Sequence, residues 1–196
     1  LQKKTVVIHN GIDLDYFQPR EKSKNLLKKF NIQGDDIVFV SVAGTALHKG
    51  WQFLVEATSK LDNELRKNIK IIIVGNSPKD EIMKQYVNQL NMQNNVIFTG
   101  FMNDVREAVS IADIGFVLSI GVETISFACR EMMSMGKPVL VSAYAGLSEN
   151  INNNQNGWVV KQKSSNQVYK FLQKINELDL QQYAYMAKQK ANQEFG

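Results

Sequence analysis

Two glutamates eight residues apart, Glu123 and Glu131, bracket a stretch that reads as a helix, which Gly136-Lys137-Pro138 ends. With Glu123 at the helix start, the amides of Thr124, Ile125 and Ser126 become first-turn donors without intrahelical partners. They point outward with the positive end of the dipole. An anion such as a diphosphate fits there. Glu131 lies about two turns further along and leans back toward the N-terminus, within reach of hydroxyls beside that anion. Two carboxylates next to a diphosphate suit polyol recognition. The plainer readings are a dipole partner for Glu123 and a solvated helix residue for Glu131. Against the second stands the apolar setting Phe127-Ala128-Cys129-Arg130-Glu131-Met132-Met133, where a sheltered carboxylate needs a partner.

Two other loops carry weaker signals. In Ala43-Gly44-Thr45-Ala46-Leu47-His48-Lys49-Gly50 a glycine ends an apolar run and a lysine-glycine pair precedes a helix, so Lys49 reads either as an anion ligand or as a solvated lysine. It is not a P-loop, and the Gly-x-Gly-x-x-Gly dinucleotide fingerprint occurs nowhere in the chain. In Gly100-Phe101-Met102-Asn103-Asp104, backbone groups and Met102 suit the wall of a base-sized slot, although Met102 serves equally as core filler. Asp13-Leu14-Asp15 has the form of a metal-dependent sugar-nucleotide site but follows the turn Asn10-Gly11 rather than a core strand. His9 and His48 are too isolated for a zinc site, and Cys129 reads as small core filler.

The elements that must position these residues follow from hydrophobic period. Apolar runs at 37–43, 69–74, 95–99, 114–118, 138–141 and 157–160 alternate with amphipathic stretches, the signature of βα units around a parallel sheet. The central runs are almost continuously apolar, which predicts helices on both faces of a doubly wound α/β sheet. Helical spacing is legible in Trp51-Phe53-Leu54-Ala57, in Ile82-Met83-Tyr86-Val87-Leu90 and in Val105-Ala108-Val109. A helix beginning just after Glu123 is expected to run to Gly136, and two more are expected over 167–178 and 181–195. Residues 1–34 read as a strand over 5–8, a turn and a short basic helix near 22–30 packed on the sheet's edge. The Asn-rich tract 150–156 reads as a surface loop. Open parallel sheets bind ligands outside the carboxyl ends of their strands, which is where all three loops fall.

Composition narrows the classes. With 196 residues, 44% hydrophobic and 21% charged, the chain is an ordinary globular protein of a size suited to one core, so disorder and coiled coil are excluded. A single cysteine excludes an intrachain disulfide scaffold and suggests a reducing compartment. No apolar run reaches the roughly 20 residues of a spanning helix. A net charge of +4 suits an anionic ligand or an acidic membrane surface, whereas interspersed Asp and Glu argue against nucleic acid.

The succession Val-Ile-His-Asn-Gly-Ile-Asp-Leu-Asp-Tyr-Phe-Gln-Pro over 7–19, Lys49-Gly50, Val74-Gly75, Thr99-Gly100-Phe101, Glu123-x7-Glu131 and Gly136-Lys137-Pro138-Val139 resembles one family along nearly the whole chain. It is similar to the C-terminal half of family 4 retaining glycosyltransferases of the GT-B fold. The resemblance implies a Rossmann-like nucleotide-sugar (donor) domain of about six mostly parallel strands. Lys49 and the Gly44-Thr45 turn would serve the donor diphosphate, Glu131 the ribose hydroxyls and Glu123 the donor sugar. The amides of Thr124, Ile125 and Ser126 would touch sugar and phosphate, and Met102 would line the base slot. Transfer would be metal-independent and without cofactor. Lys49 and the helix N-terminus would stabilise charge on the leaving diphosphate.

Two departures from the family pattern bear on activity. Thr45 and Ala46 stand where the family places an arginine beside the lysine, and Glu123-Thr124-Ile125-Ser126 stands in place of Glu-Gly-Phe-Gly. Side chains thus crowd a spot where glycine lets a sugar approach closely. The resemblance also implies an N-terminal acceptor domain absent from this chain, so residues 1–196 are expected to bind a UDP-, GDP- or ADP-linked sugar without turning it over alone. The expected setting is cytoplasmic, with possible peripheral membrane association of the longer protein and a role in cell-surface polysaccharide or glycolipid synthesis. The competing reading is a nucleotide-binding or interaction module on the same fold without transfer activity.

Overall fold

The computed structural model describes residues 8, 10–76 and 80–196. The strand expected over 5–8 falls outside them but for Ile8, as does His9. Six strands form one sheet: β1 Ile37–Ser41, β2 Ile69–Ile73, β3 Val96–Phe98, β4 Ile114–Val117, β5 Val139–Ser142 and β6 Gly157–Val160. All pairings are parallel, in the order β3-β2-β1-β4-β5-β6, with Phe39 of β1 opposite both Ile71 of β2 and Ile114 of β4. The order reverses between β1 and β4, so the loops leaving those two strands diverge and open a crevice at their carboxyl ends.

Because side chains alternate across a strand, the sheet divides its apolar residues between two layers. Phe39, Ile71, Phe116 and Leu140 pack with α2 (Trp51–Ser59), α4 (Asp80–Gln89) and α7 (Ser165–Leu172) on one face. On the other, Val38, Val40 and Ile72 meet α1 (Lys24–Lys29) and α5 (Arg106–Ile111). Val117, Val139 and Val141 meet α6 (Phe127–Ser134) and α8 (Leu180–Glu194) on the same side. The short α3 (Asn63–Lys67), capped by the Asp62 carboxylate, leads into β2. Both faces of the sheet are therefore dry, as the unbroken apolar runs require.

Four expectations are corrected. The basic helix α1 lies on a face of the sheet rather than its edge, because Leu26, Leu27 and Phe30 give it an apolar stripe that α5 and β1 cover. α6 begins at Phe127, not after Glu123: Val122 and Ser126 have φ of 50° and 60°, so the chain turns left-handed twice before entering the helix. The helix expected over 167–178 stops at Leu172, and a short 3-10 turn, Ile175–Glu177, precedes α8. Finally, the Asn-rich tract is not merely surface, since Asn150 and Asn156 are buried.

Candidate functional site

The crevice at the β1/β4 reversal depends on close backbone approach. Gly50, at φ 76°, lies where an added Cβ would stand 1.9 Å from the Leu118 carbonyl oxygen, so only glycine lets the start of α2 press against the end of β4. The Ile120 amide donates to the His48 carbonyl at 2.8 Å and ties the two loops together.

Lys49 and Glu123 meet across this junction. The Lys49 Nζ donates to Glu123 Oε2 at 3.1 Å and to the Val122 carbonyl at 3.3 Å, with the two side chains 19% and 9% exposed. The buried Ser119 hydroxyl donates to the same Oε2 at 3.0 Å, and the Ser142 hydroxyl in turn donates to the Ser119 carbonyl at 2.6 Å. Glu123 is thus held by a serine from its own loop, which is itself pinned to β5. A sheltered ion pair is retained only where geometry and added hydrogen bonds offset desolvation, and this one has both.

Between Glu123 and α6 the chain runs as a loop whose carbonyls are engaged and whose amides are not. The Gly146 amide donates to the Thr124 carbonyl at 2.9 Å, and the Asn150 side-chain amide donates to the Ile125 carbonyl. The amides of Thr124, Ile125 and Ser126 make no hydrogen bond among the described residues. The Ser126 hydroxyl accepts from the Cys129 amide and caps α6, leaving Phe127 and Ala128 as the open first-turn donors. The donors foreseen at 124–126 are therefore present, although they belong to a loop ahead of the helix.

Glu131 is half-buried, and its carboxylate forms no hydrogen bond or ion pair among the described residues; burial raises its pKa above the usual carboxylate range. The other foreseen residues fall on neighbouring loops. Thr45 is buried, its hydroxyl donating to the Asn76 carbonyl at 2.9 Å and its carbonyl accepting from the Trp51 indole at 2.8 Å. Gly44 lies against Gly75, an added Cβ on which would come within 3.2 Å of the Gly44 Cα. Met102 packs against the cluster of Val40, Val74 and Ala108, so its role here is at least partly core. His48 takes part through its backbone carbonyl, and Cys129 is fully buried with its thiol pushed up to about 12, which keeps it protonated. Asp13 caps a turn by accepting from the Tyr16 amide at 2.8 Å.

Three contributors escape sequence reasoning. Asn76 clips the loops after β1, β2 and β3 together: besides holding Thr45, its Oδ1 accepts from the Phe101 amide at 2.7 Å, beside a bridge between Gly75 and Gly100. A Gly-Asn pair directly after an apolar strand is the signal that points to it. Ser119 has a signal in its place at the end of β4. Asn150 has none, because its value lies in a buried amide that accepts from Arg130 Nε at 2.9 Å while donating to the Ile125 carbonyl.

The match to known proteins is consistent along the chain. Residues 22–193 match the model of the glycosyl transferases group 1 family. An uncharacterized glycosyltransferase of Methanocaldococcus jannaschii is 29% identical over 164 residues, which cover 81% of this chain and 41% of that protein. Among solved structures, a glycosyltransferase from Rickettsia africae superposes with a TM-score of 0.87 at 24% identity over 100% of this chain and 54% of its own. HepE of Anabaena, solved in complex with UDP, superposes with a TM-score of 0.84 at 22% identity over 98% and 54%. The chain therefore spans about half the length of these three proteins.

Proposed function

The chain belongs to the group 1 glycosyltransferases, and from that premise we propose that it holds the nucleotide-diphospho-sugar donor for retaining glycosyl transfer. The observation that carries this reading is the convergence of Lys49, Glu123 and the unpartnered amides of 124–126 at the carboxyl ends of β1 and β4. When the glycosidic bond breaks, the leaving phosphate oxygen gains negative charge. The Lys49 ammonium and preorganised amides lower the energy of that charge without reorganising at the moment of reaction. For the diphosphate to be received, Lys49 must turn from Glu123, which frees the carboxylate to accept from sugar hydroxyls. Glu131 supplies an unpartnered carboxylate for the ribose, and the clipped loops at Asn76 and Phe101 wall the base. A further N-terminal domain supplies the acceptor, so this chain binds donor without sustained turnover.

A second reading keeps nucleotide binding and drops transfer. What favours it is Thr45: the side chain at the family's arginine stretch is turned into the fold, so no second cation stands beside Lys49 from that position. Loss of one such charge-assisted contact weakens diphosphate binding by about 1–3 kcal/mol.

The test is calorimetric titration of the chain with UDP, GDP, ADP and their sugar conjugates, repeated with Lys49→Ala and Glu131→Ala. One nucleotide is expected to bind, and both substitutions to weaken it. Absence of binding at millimolar ligand, in the chain and in the longer protein alike, would overturn the donor reading. Slow hydrolysis of a nucleotide sugar by the longer protein separates transfer from mere binding.

A further inference from the structure

A cavity of about 460 Å³ opens at the opposite end of the sheet, at the amino ends of β4 and β5 and the start of α8. Four cations line it, Arg20, Lys22, Lys137 and Lys188, against one carboxylate, Asp113. We propose that this cavity is a second anion site, built for a phosphate or phosphate monoester and independent of the crevice that holds Lys49.

The lining cations have donors to spare. Lys137 gives two N–H groups to the carbonyls of Ala112 (2.7 Å) and Ser110 (3.3 Å), which fixes the ammonium and leaves its third N–H unengaged among the described residues. Lys188 donates to Gln18 Oε1 at 3.1 Å and forms no ion pair among the described residues, although the charge of Asp15 acts on it. Asp113 is already divided, one oxygen on Lys22 at 2.8 Å and the other on the Val38 amide at 2.9 Å. Arg20 shares Asp104 with Arg106, which grips that carboxylate through two nitrogens. Positive charge thus converges on a concave, partly dry space with too little carboxylate to balance it. Ammonium point charges around a pocket are a donor set that a tetrahedral oxyanion takes, while the Arg20 guanidinium stays on Asp104 and adds positive charge at the rim. Burial and the neighbouring Lys22 push Lys137 down to about 8, a strain that a bound anion relieves. The volume exceeds that of a bare phosphate, leaving room for the group that carries it.

The test compares thermal unfolding in inorganic phosphate and in chloride at equal ionic strength. At ten times its dissociation constant, phosphate is expected to raise the midpoint by about 3 °C. Lys188→Gln and Lys22→Gln, both at partly exposed positions, are expected to abolish the rise, while Lys49→Gln keeps it. Flotation with phosphatidic acid vesicles, against phosphatidylcholine alone, separates the two sources of the phosphate. Lysine-dependent flotation assigns a lipid headgroup, and stabilisation without flotation assigns a free phosphate compound. No phosphate-specific stabilisation and no flotation would overturn the proposal. So would a stabilisation that survives in the Lys22→Gln, Lys188→Gln double variant or disappears in Lys49→Gln.

Discussion

Glu131 and the Lys49–Glu123 pair set opposite problems at the scale of single residues. Glu131 is sheltered without a partner, so its charged form is penalised in the folded chain. A raised folded pKa means that the penalty is absent below the ordinary carboxylate value of 4.5 and complete once the pH exceeds the folded value. Glu131→Gln is therefore expected to raise the thermal midpoint at pH 8 and to match the native chain near pH 4. The same substitution is expected to weaken nucleotide binding by about 2 kcal/mol, the scale of a charge-assisted contact. Gained stability with lost affinity is the mark of a residue kept for a ligand. Lys49 and Glu123, by contrast, satisfy each other, and the proposed diphosphate would have to compete for that pair. Lys49→Met is expected to weaken binding of the nucleoside diphosphate by tenfold to a hundredfold and to leave the nucleoside untouched. Glu123→Gln frees Lys49, so the diphosphate alone should bind as well or better while its sugar conjugate binds worse. Calorimetry with the three ligands resolves both cases.

At the scale of elements, one glycine lets the loops after β1 and β4 meet. Gly50→Ala places a methyl 1.9 Å from the Leu118 oxygen at a φ of 76°, and is expected to destabilise the chain by about 3 kcal/mol or more. Gly34→Ala, with nothing within 4 Å, is the matched control and is expected to be neutral or slightly stabilising in urea unfolding. The six strands were legible in the sequence because a parallel sheet buried on both faces writes each strand as a continuous apolar run. The start of α6 was not. Thr124 to Ser126 have side chains compatible with a helix, and what keeps them out is tertiary: Gly146 and Asn150 take the carbonyls that a helix would use. Asn150 itself was hidden for the same reason, since an asparagine in an Asn-rich tract gives no sign of being buried. Lys49 and Glu123 were each foreseen as ligands, while their contact with each other was not, because it joins two loops that are 74 residues apart in the chain.

For the whole molecule, the question is what keeps α6, the carrier of Glu131, in place against the sheet. Asn150 holds its front, and a segment near the start of the chain straps its back. The Ile12 amide donates to the Phe195 carbonyl at 2.7 Å, the Ser134 hydroxyl donates to the Phe17 carbonyl at 2.8 Å, and Arg130 reaches the Asn10 carbonyl. The strap is anchored by Arg106, whose guanidinium lies 3.6 Å from the Tyr16 ring centroid and donates to the Tyr16 carbonyl at 3.1 Å. Arg106 is in turn set by Asp104, through contacts of 2.8 and 2.7 Å, and Arg20 reaches the same carboxylate at 3.2 Å. One carboxylate therefore orients both arginines of the anchor, and they hold its pKa down at about 2 from a reference of 3.8. A depressed folded value means that the stabilisation is complete above pH 3.8 and is lost as the pH falls through about 2. Asp104→Asn removes it at every pH. The variant is expected to be less stable at pH 7 by about 1 kcal/mol, the upper end for an ion pair at the surface. Urea unfolding at pH 7, 5, 3 and 2 should show the two chains converging only in the last steps. A gap that stays constant to pH 2 would mean that Asp104 acts by shape alone. Convergence means that the charge of one surface carboxylate secures the strap, and through it the helix that carries Glu131.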